Sequence, residues 1–384
     1  MAQIKNGAVQ IVSEQGLLDR LKSGKRLTVK MGADPSRPDL HLGHSVVLRK
    51  LKLFQELGHR IVFVIGDFTA MIGDPSGRNK TRPPLTLDET RTGGESYFKQ
   101  VTKILDPGKT EIAYNSEWLE KMNFHDVIGL CSKYTVARIL ERDDFHNRLS
   151  QNLPISMHEM LYPLMQGYDS VALNADIEVG GTDQTFNLLV GRALQNDFGQ
   201  KPQEVITFPL LPGLDGKDKM SKSLDNYIGI DEPPEIMFEK AMRVPDGLLA
   251  DYFVLTTDIL RSDAENLVRT DIRRAHLRYA FMITEMYHNS YSAQNAKRHY
   301  ESVASGELPQ SMAEYTVTET DLPVTELLCR VGFAASNSEA RRNIQGRGVK
   351  INGETLTDTT IILKTNTPFV LQFGKNRFVK VKKI

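Results

Sequence analysis

The segment HLGH, residues 41–44, combines two histidines with a glycine at a spacing that suits phosphate binding. It stands at the predicted start of a helix, directly after a predicted strand and the turn-forming segment ADPSRPD. A helix N-terminus offers free N–H groups and the positive end of its dipole. Gly43 permits close approach to the backbone, and His41 and His44 can donate hydrogen bonds to phosphate oxygens. Alternatively, the two histidines only cap the helix. A metal site is a weaker alternative, because no further His or Cys stands nearby.

A second cationic segment, KMSKS at 219–223, follows the turn-rich GLDGKD. Lys219 and Lys222 are separated by small or flexible side chains, which is typical of a loop that can move. Such a loop can close over a polyphosphate and supply charge where it develops in the transition state. A KxxKS string alone is usually a solvated turn. Its combination with the upstream HLGH favours nucleotide chemistry.

The elements that must position these residues alternate between strands and helices. Residues 26–35 and 60–67 are predicted to be strands, and apolar residues at helical spacing fill 41–59 between them. Strand, helix and strand with short connections form a βαβ unit, which predicts a parallel sheet. The alternation resumes with a strand, a helix and a strand at 175–184, 185–195 and 204–211.

Composition places the chain among ordinary globular proteins. It has 384 residues, 25% of them charged, and a net charge of zero, so two or three domains are expected. From Asp321 onward, 11 Lys/Arg oppose 5 Asp/Glu, which predicts a local anion-binding surface. The two cysteines give no metal-ligand spacing and no disulfide framework. Because no apolar run could span a membrane or serve as a signal peptide, we expect a reduced, cytoplasmic protein without a membrane partner.

The motifs, taken together, resemble those of a known enzyme family. HLGH and KMSKS resemble the two signature motifs of class I aminoacyl-tRNA synthetases. Three stretches narrow the resemblance to the tyrosyl-tRNA synthetases: GDPSG (73–77) and GGTDQ (180–184) resemble their amino-acid and ribose loops, and YPLMQGYD (162–169) their tyrosine-binding helix. MGADPSRPDLHLGH resembles the family's first-motif segment, and the match covers essentially the whole chain, most like a divergent bacterial branch.

This resemblance implies an α/β fold in several parts. Residues 1–228 would form a Rossmann-like nucleotide-binding parallel sheet, with a connective insertion at about 115–165 that builds a homodimer interface. Residues 229–305 read as an α-helical domain on the anticodon side, and the polar stretch 306–323 as a linker. Residues 324–384 would form a small α+β RNA-binding domain of the S-four type.

The predicted amino-acid pocket centres on one helical face. Tyr162, Gln166 and Asp169 follow i, i+4, i+7 spacing and therefore share a face, although tyrosines there could instead be core aromatics. In the family's pattern Asp169 accepts the hydrogen bond of the substrate's phenolic hydroxyl. Tyr162 and Gln166 hold the α-ammonium with Asp74, and Asp34 lines the same pocket.

One position departs from the family's pattern. The family commonly has a tyrosine, as a second partner of the substrate hydroxyl, where this chain has Lys30. Lys30 would then either balance a pocket carboxylate or point elsewhere. The departure leaves open how the hydroxyl is held, but the assignment of Asp169 does not depend on it.

The resemblance also assigns the nucleotide site. Gly181 would permit close approach, Asp183 would bind ribose hydroxyls and Gln184 would lie beside them; an ordinary β-turn with a capping aspartate is the alternative. Arg78 and Arg82 fall where the family has mobile cations for the pyrophosphate, or they form a solvated basic loop. Catalysis is assigned to His41, His44, Lys219, Lys222, Arg78 and Arg82. ATP binding is assigned to His41, Gly43, His44, Gly181, Asp183, Gln184, Lys219, Met220, Lys222 and Ser223.

The C-terminal segment SEARRNIQGRGVKINGE (338–354) resembles the signature of the S-four-type domain. Arg341, Arg342, Arg347 and Lys350 would face RNA phosphates, unless the helix is simply charged and solvated. Arg347 interrupts the Gly-Gly pair that often stands at this turn.

A member of this family activates L-tyrosine with ATP and transfers it to the terminal adenosine of tyrosine tRNA. The implied partners are L-tyrosine, ATP with Mg²⁺, the tRNA and a second copy of the chain, with no tightly bound protein-ligated metal. Tryptophanyl-tRNA synthetase shares the fold, but Asp169 and the C-terminal module argue against it. A non-catalytic RNA-binding protein is disfavoured because both the histidine and lysine motifs are intact.

Overall fold

A computed structural model describes residues 1–34, 40–74, 93–94, 97–305, 312–374 and 377–384. The chain divides into two compact units, residues 1–287 and 288–384. Each unit is described by itself below. Among the described residues, no helix is both long enough and apolar enough to cross a membrane.

The first unit is built on a six-stranded sheet of order β1-β6-β5-β2-β3-β4. The strands β2 to β6 run parallel to their neighbours, and β1 pairs antiparallel with β6 at the edge. This mixed sheet confirms the Rossmann-like fold predicted from the sequence. The strands are β1 Gln10–Val12, β2 Thr28–Ala33, β3 Arg60–Ile65, β4 Thr110–Tyr114, β5 Ile177–Gly181 and β6 Glu204–Phe208.

The helix Leu42–Glu56 connects β2 to β3, as the apolar spacing predicts. Leu42, Val46 and Leu51 are buried, because they lie on the face turned to the sheet. The helix ends before Gly58, whose φ of 86° is a left-handed conformation that glycine adopts readily. The apolar residues of β3 are buried throughout, which fits a strand covered on both faces.

The remaining helices of the first unit lie before β1, between β1 and β2, between β5 and β6, in an insertion between β4 and β5, and in a bundle after β6. They are Ala2–Lys5, Glu14–Lys22, Ser116–Leu119, Phe124–Cys131, Val136–Ile139, Asp143–Ser150, Met157–Ala172, Thr185–Asp197, Pro234–Ala241, Leu249–Thr256, Arg261–Thr270 and Ile272–Tyr287. Short 3₁₀ helices lie at Thr69–Met71, Pro107–Lys109, Thr182–Gln184, Lys222–Leu224 and Asp246–Leu248. The insertion packs its own core, which includes Leu130, Ile139 and Phe145, against the helix Met157–Ala172.

The second unit has the helices Ser290–Ser305, Val324–Arg330 and Asn337–Gln345. Its five-stranded sheet has the order β10-β9-β12-β13-β7, and β8 pairs separately with β11. The strands are β7 Ala313–Val317, β8 Asp321–Pro323, β9 Val349–Ile351, β10 Glu354–Thr355, β11 Ile362–Lys364, β12 Phe369–Phe373 and β13 Arg377–Lys383.

Two boundaries predicted from the sequence differ from the structure. The second half of the predicted linker 306–323 contains β7 and β8, which belong to the sheets of the second unit. Strand β7 is mostly exposed and pairs through its backbone with β13. The boundary between the units also falls inside the predicted helical domain 229–305, before the helix Ser290–Ser305.

Candidate active site

A pocket of about 210 Å³ opens at the carboxyl ends of β2, β3 and β5. In the sheet, β2 lies between β3 and β5. The chain passes from β2 to β3 on one side, and the strands β5 and β6 are added on the other side, so the order of connection reverses at β2. Ligands of open α/β sheets bind at such switch points. The pocket is lined by Met31, Gly32, Ala33, Asp34, His44, Val64, Gly66, Thr69, Asp74, Tyr97, Tyr162, Gln166, Asp169 and Gln184.

Asp169 forms the inner end of this pocket. Its side chain is 3% exposed, and the indole Nε1 of Trp118 donates to its Oδ1 at 2.8 Å. The amide of Asn115 lies 3.5 Å from Oδ2. Burial raises the pKa of Asp169 to about 7, against the opposing effects of the charge on Lys30 and the hydrogen bond from Trp118. The pocket therefore ends in a carboxyl group that changes charge near neutral pH.

Lys30 is fully buried beneath Asp169, on the neighbouring strand β2. Its Nζ lies 2.9 Å from Oε1 of Glu178, which occupies the paired position on β5. Ser170 and Gln203 both donate to Oε2 of Glu178. Lys30 thus lies beside the buried carboxylate of Glu178, and its charge also acts on the pocket carboxyl of Asp169, which favours the first of the two alternatives open from the sequence.

The same pocket is lined by the other predicted amino-acid ligands, Asp34, Asp74, Tyr162 and Gln166. The hydroxyl of Tyr162 donates to Oδ2 of Asp34 at 2.8 Å, and Thr69 donates to Oδ1 of Asp34 at 3.0 Å. The Nε2 of Gln184 donates to Oδ2 of Asp74 at 3.0 Å. The two carboxylates would attract a cationic group.

His41 and His44 form the N-terminus of the helix Leu42–Glu56. Nδ1 of His41 accepts from the backbone N–H of Gly43 at 3.2 Å, and Nδ1 of His44 accepts from His41 N–H at 3.3 Å. Burial lowers the pKa of His41 to about 2 and that of His44 to about 4, helped by the charge of Lys219. Both rings are therefore neutral, with Nε2–H left as the donor. A Cβ at Gly43 would lie 2.9 Å from the His41 ring, which explains the glycine.

The loop that carries the KMSKS segment, residues 219–223 and called the lysine loop below, is held next to these histidines by backbone contacts. Met220 N–H donates to Leu211 at 2.8 Å, and its buried side chain packs near the start of the helix. Lys219 is exposed, yet its charge acts on both histidines and on Asp183. The structure thereby brings the two signature motifs together.

The rest of the loop is more exposed. Lys222 and Ser223 begin the 3₁₀ helix Lys222–Leu224 and carry exposed side chains. Ser221 caps this turn through its hydroxyl. The place of Lys222 in the site stays a prediction.

The predicted ribose turn follows β5. Asp183 lies in the 3₁₀ helix Thr182–Gln184, and burial raises its pKa, against the charge of Lys219. A Cβ at Gly181 would come 2.5 Å from Oδ1 of Asp183, so any other residue there would displace the Asp183 carboxylate. Arg78 and Arg82, together with residues 75–77 of the GDPSG loop, lie outside the described residues.

The predicted RNA-binding residues lie on consecutive elements of the second unit. Arg341 and Arg342 are exposed on the helix Asn337–Gln345, and Lys350 lies on β9. Arg347 adopts a φ of 58° in the turn between them, the left-handed conformation that a glycine would take more readily. Within the described part of the chain, none of the four has an ion-pair partner; their charge is available to an external anion.

Comparisons with known proteins identify the family of this chain. A family model described as class I tRNA synthetases (W and Y) matches residues 22–304, and one described as the SYY-like C-terminal domain of tyrosine–tRNA ligase matches residues 305–380. The tyrosine–tRNA ligase of Deinococcus radiodurans is 51% identical, with 98% of this chain and 95% of the relative covered. That of Geobacter sulfurreducens is 49% identical, with coverages of 99% and 98%. The chain belongs to the tyrosyl-tRNA synthetases of class I.

Solved structures of the family share the fold of this synthetase. A C-terminally truncated mitochondrial tyrosyl-tRNA synthetase of Aspergillus nidulans has a TM-score of 0.63 at 22% identity, covering 79% of this chain and 94% of that chain. The tyrosyl-tRNA synthetase of Archaeoglobus fulgidus complexed with L-tyrosine has a TM-score of 0.61 at 24% identity, with coverages of 77% and 97%. At such identities the likeness concerns the fold alone.

Several pocket contacts of this synthetase were missed in the sequence. Trp118, Asn115 and Thr69 contact the pocket carboxylates from two short helices and the residue that precedes one of them, none of which carries a motif. Asn187, which bonds two pocket glutamines, lies inside an ordinary helical pattern. Trp118 alone carried a signal, since it is the only tryptophan of the chain.

Proposed function

We propose that this synthetase attaches L-tyrosine to its tRNA in two steps within the pocket described above. In the first, a carboxylate oxygen of tyrosine bonds to the α-phosphorus of Mg-ATP, and the bond to the β-phosphate oxygen breaks to release pyrophosphate. In the second, a hydroxyl of the terminal ribose of the tRNA attacks the carbonyl carbon and releases AMP. One observation carries the proposal: a single pocket is lined both by the buried Asp169 and by His44 of the helix N-terminus.

The amino-acid end of the pocket fits tyrosine. Asp169, when ionised, is an acceptor for a phenolic hydroxyl, and Trp118 fixes its orientation from the other side. A substrate without the hydroxyl leaves this buried acceptor unpaired, which costs about 1–3 kcal/mol or more. The α-ammonium would be held by Asp34, Asp74, Tyr162 and Gln166, around the mouth of the pocket.

The nucleotide end supplies positioning and charge, and no side chain becomes a covalent nucleophile. His41 and His44 would donate through Nε2–H to phosphate oxygens, beside the positive end of the helix dipole. Lys219 and Lys222 would stabilise the charge that develops on the leaving pyrophosphate, with Arg78 and Arg82 as further cations.

The remaining nucleotide contacts follow from the same placement. Asp183 would accept from the ribose hydroxyls, with Gln184 beside it, while Gly43 and Gly181 permit close approach. Met220 and Ser223 would line the nucleotide from the lysine loop. Mg²⁺ enters with the nucleotide as part of the substrate.

We propose two macromolecular partners. The exposed cations of the second unit, Arg341, Arg342 and Arg347 with Lys350, would bind phosphates of tyrosine tRNA. A second copy of the chain would cover exposed apolar side chains of the insertion and of the helix that follows it, where Phe124 is 80% and Met157 75% exposed. Exposed apolar side chains of this kind mark protein interfaces. Sedimentation of the protein tests the proposed dimer, and a monomer would contradict it.

Tyrosine-dependent ATP–pyrophosphate exchange tests the proposed function. The wild-type chain should exchange with tyrosine, far less with phenylalanine, and not with tryptophan. Asp169→Ala should lower the ratio of kcat/KM for tyrosine over phenylalanine. Exchange driven by tryptophan would favour the tryptophanyl rival, and no exchange with either amino acid would favour a non-catalytic RNA-binding protein.

A further inference from the structure

Asn187 is a buried side chain that joins two pocket residues. It is 1% exposed on the helix Thr185–Asp197, which packs against the helix Met157–Ala172. Its Nδ2 donates to Oε1 of Gln166 at 2.8 Å and to Oε1 of Gln184 at 3.1 Å. Its Oδ1 accepts from Nη1 of Arg142 at 3.0 Å. Both ends of its amide are therefore engaged.

Arg142 holds this asparagine from the insertion. Its guanidinium is 4% exposed, pairs with Asp144 at 2.9 Å and lies over the rings of Phe145 and Phe186. Arginine has only donors, so the oxygen of Asn187 has to face it and the NH₂ group has to face the pocket. Packing between two aromatic rings and a buried carboxylate leaves Arg142 little freedom to turn away.

This orientation passes to the two glutamines. Because the Asn187 NH₂ group donates to both Oε1 atoms, the NH₂ group of each glutamine has to point elsewhere. The NH₂ group of Gln184 donates to Oδ2 of Asp74 at 3.0 Å. The NH₂ group of Gln166 points to Oε1 of Gln184 at 3.4 Å. Arg142 cannot accept a hydrogen bond and therefore fixes the orientation of the Asn187 amide. The Asn187 amide in turn fixes the orientation of the amides of Gln166 and Gln184.

We propose that Asn187 and Arg142 are positioning residues of the tyrosine pocket: Arg142 sets the orientation of Asn187, and Asn187 sets that of Gln166 and Gln184. The insertion would then act on substrate binding without touching the substrate. The inference rests on the proposed function, because tyrosine is the ligand that Gln166 and Asp74 are proposed to hold.

Asn187→Asp tests the proposal with little change in shape. The carboxylate keeps the partner Arg142 but loses the NH₂ group, so Oε1 of Gln166 loses its donor and Oε1 of Gln184 keeps only the longer contact from Gln166. We expect the KM for tyrosine in pyrophosphate exchange to rise about tenfold or more, with kcat changed less than about threefold. Asn196→Asp is the matched control, since Asn196 is exposed on the same helix and should leave the KM unchanged. Arg142→Lys keeps the charge beside Asp144 but loses the planar fork, and should give a smaller rise.

Thermal unfolding separates positioning from a purely structural role. A lowered Tm for Asn187→Asp with an unchanged KM would overturn the proposal, as would an equal rise of KM in Asn196→Asp. If Asn187→Asp does not fold, Arg142→Lys decides, and its KM within twofold of wild type would overturn the proposal. If the wild-type chain shows no tyrosine-dependent exchange, the proposed function fails; equilibrium dialysis with tyrosine then compares the same variants directly.

Discussion

At the scale of single residues, the titratable groups of the pocket differ in their charge at neutral pH. The pKa values of His41 and His44, about 2 and 4, keep both rings neutral from pH 6 to 8, whereas Asp169 has a pKa of about 7. As the pH falls from 8 to 6, Asp169 takes up a proton and ceases to be a pure acceptor, so tyrosine should bind more weakly. Titration of tyrosine by the fluorescence of Trp118, whose indole bonds Asp169, would measure this. Asp169→Asn is the control and should give a flat profile; a wild-type profile equally flat would contradict the prediction.

Lys219 allows a second prediction at this scale, because its charge reaches both histidines while its side chain stays exposed. Lys219→Ala should slow adenylate formation by about 2–4 kcal/mol of barrier, as for other preorganised oxyanion contacts, and leave tyrosine affinity almost unchanged. Rapid-quench measurement of tyrosyl-adenylate separates the two quantities. Lys217→Ala, in the same loop, is the matched control. Weakened tyrosine binding with an unchanged rate would remove Lys219 from the catalytic set.

At the scale of elements, the insertion is held to the pocket helix by a buried ion pair. Arg148 makes two parallel bonds to Glu159, at 3.0 and 2.9 Å, and both side chains are at most 3% exposed. Arg148→Met leaves a buried carboxylate without its cation and should lower the free energy of unfolding by about 3–5 kcal/mol. The exposed pair of Arg138 and Glu141 is the matched control, where Arg138→Met should cost less than about 1 kcal/mol. Urea unfolding followed by Trp118 fluorescence compares them, and equal costs would refute the prediction.

The elements also mark how far the sequence could be interpreted. Strands β2 and β3 and the helix between them were predictable, because their burial imposes an apolar periodicity on neighbouring residues. Strand β1 was missed, since three half-exposed residues at a sheet edge carry no such pattern. The same limit applies to the contact of Trp118 with Asp169, which joins residues 51 positions apart. Motif spacing indicated residues that line the pocket. Tertiary packing brings in the residues that support them, such as Trp118, and motif spacing does not indicate these.

At the scale of the whole molecule, the residues proposed for catalysis and those proposed for RNA binding fall in different units of the chain. All predicted nucleotide and amino-acid residues precede Asp225, and the excess positive charge follows Asp321. The unit boundary lies at 287/288, whereas the two family models meet at 304/305. A truncation after Ser305 respects the second boundary and keeps the helix Ser290–Ser305 whole. A cut after Asp321 would instead leave β7 without β13, its partner in the sheet.

Truncation after Ser305 should leave tyrosyl-adenylate formation nearly intact and impair aminoacylation of tRNA. The lost module carries exposed cations, and neutralised phosphates release counterions, so tRNA affinity of the full chain should fall steeply with salt. In the full chain, Arg341→Ala with Arg342→Ala should weaken tRNA binding and reduce the slope of log K against log salt by about 1 for each lost phosphate contact. Filter binding over a salt series measures the slope, and charging assays with saturating tyrosine measure the loss of activity. A truncated enzyme that charges tRNA as well as the full chain at physiological salt would refute the assignment of this module to tRNA binding.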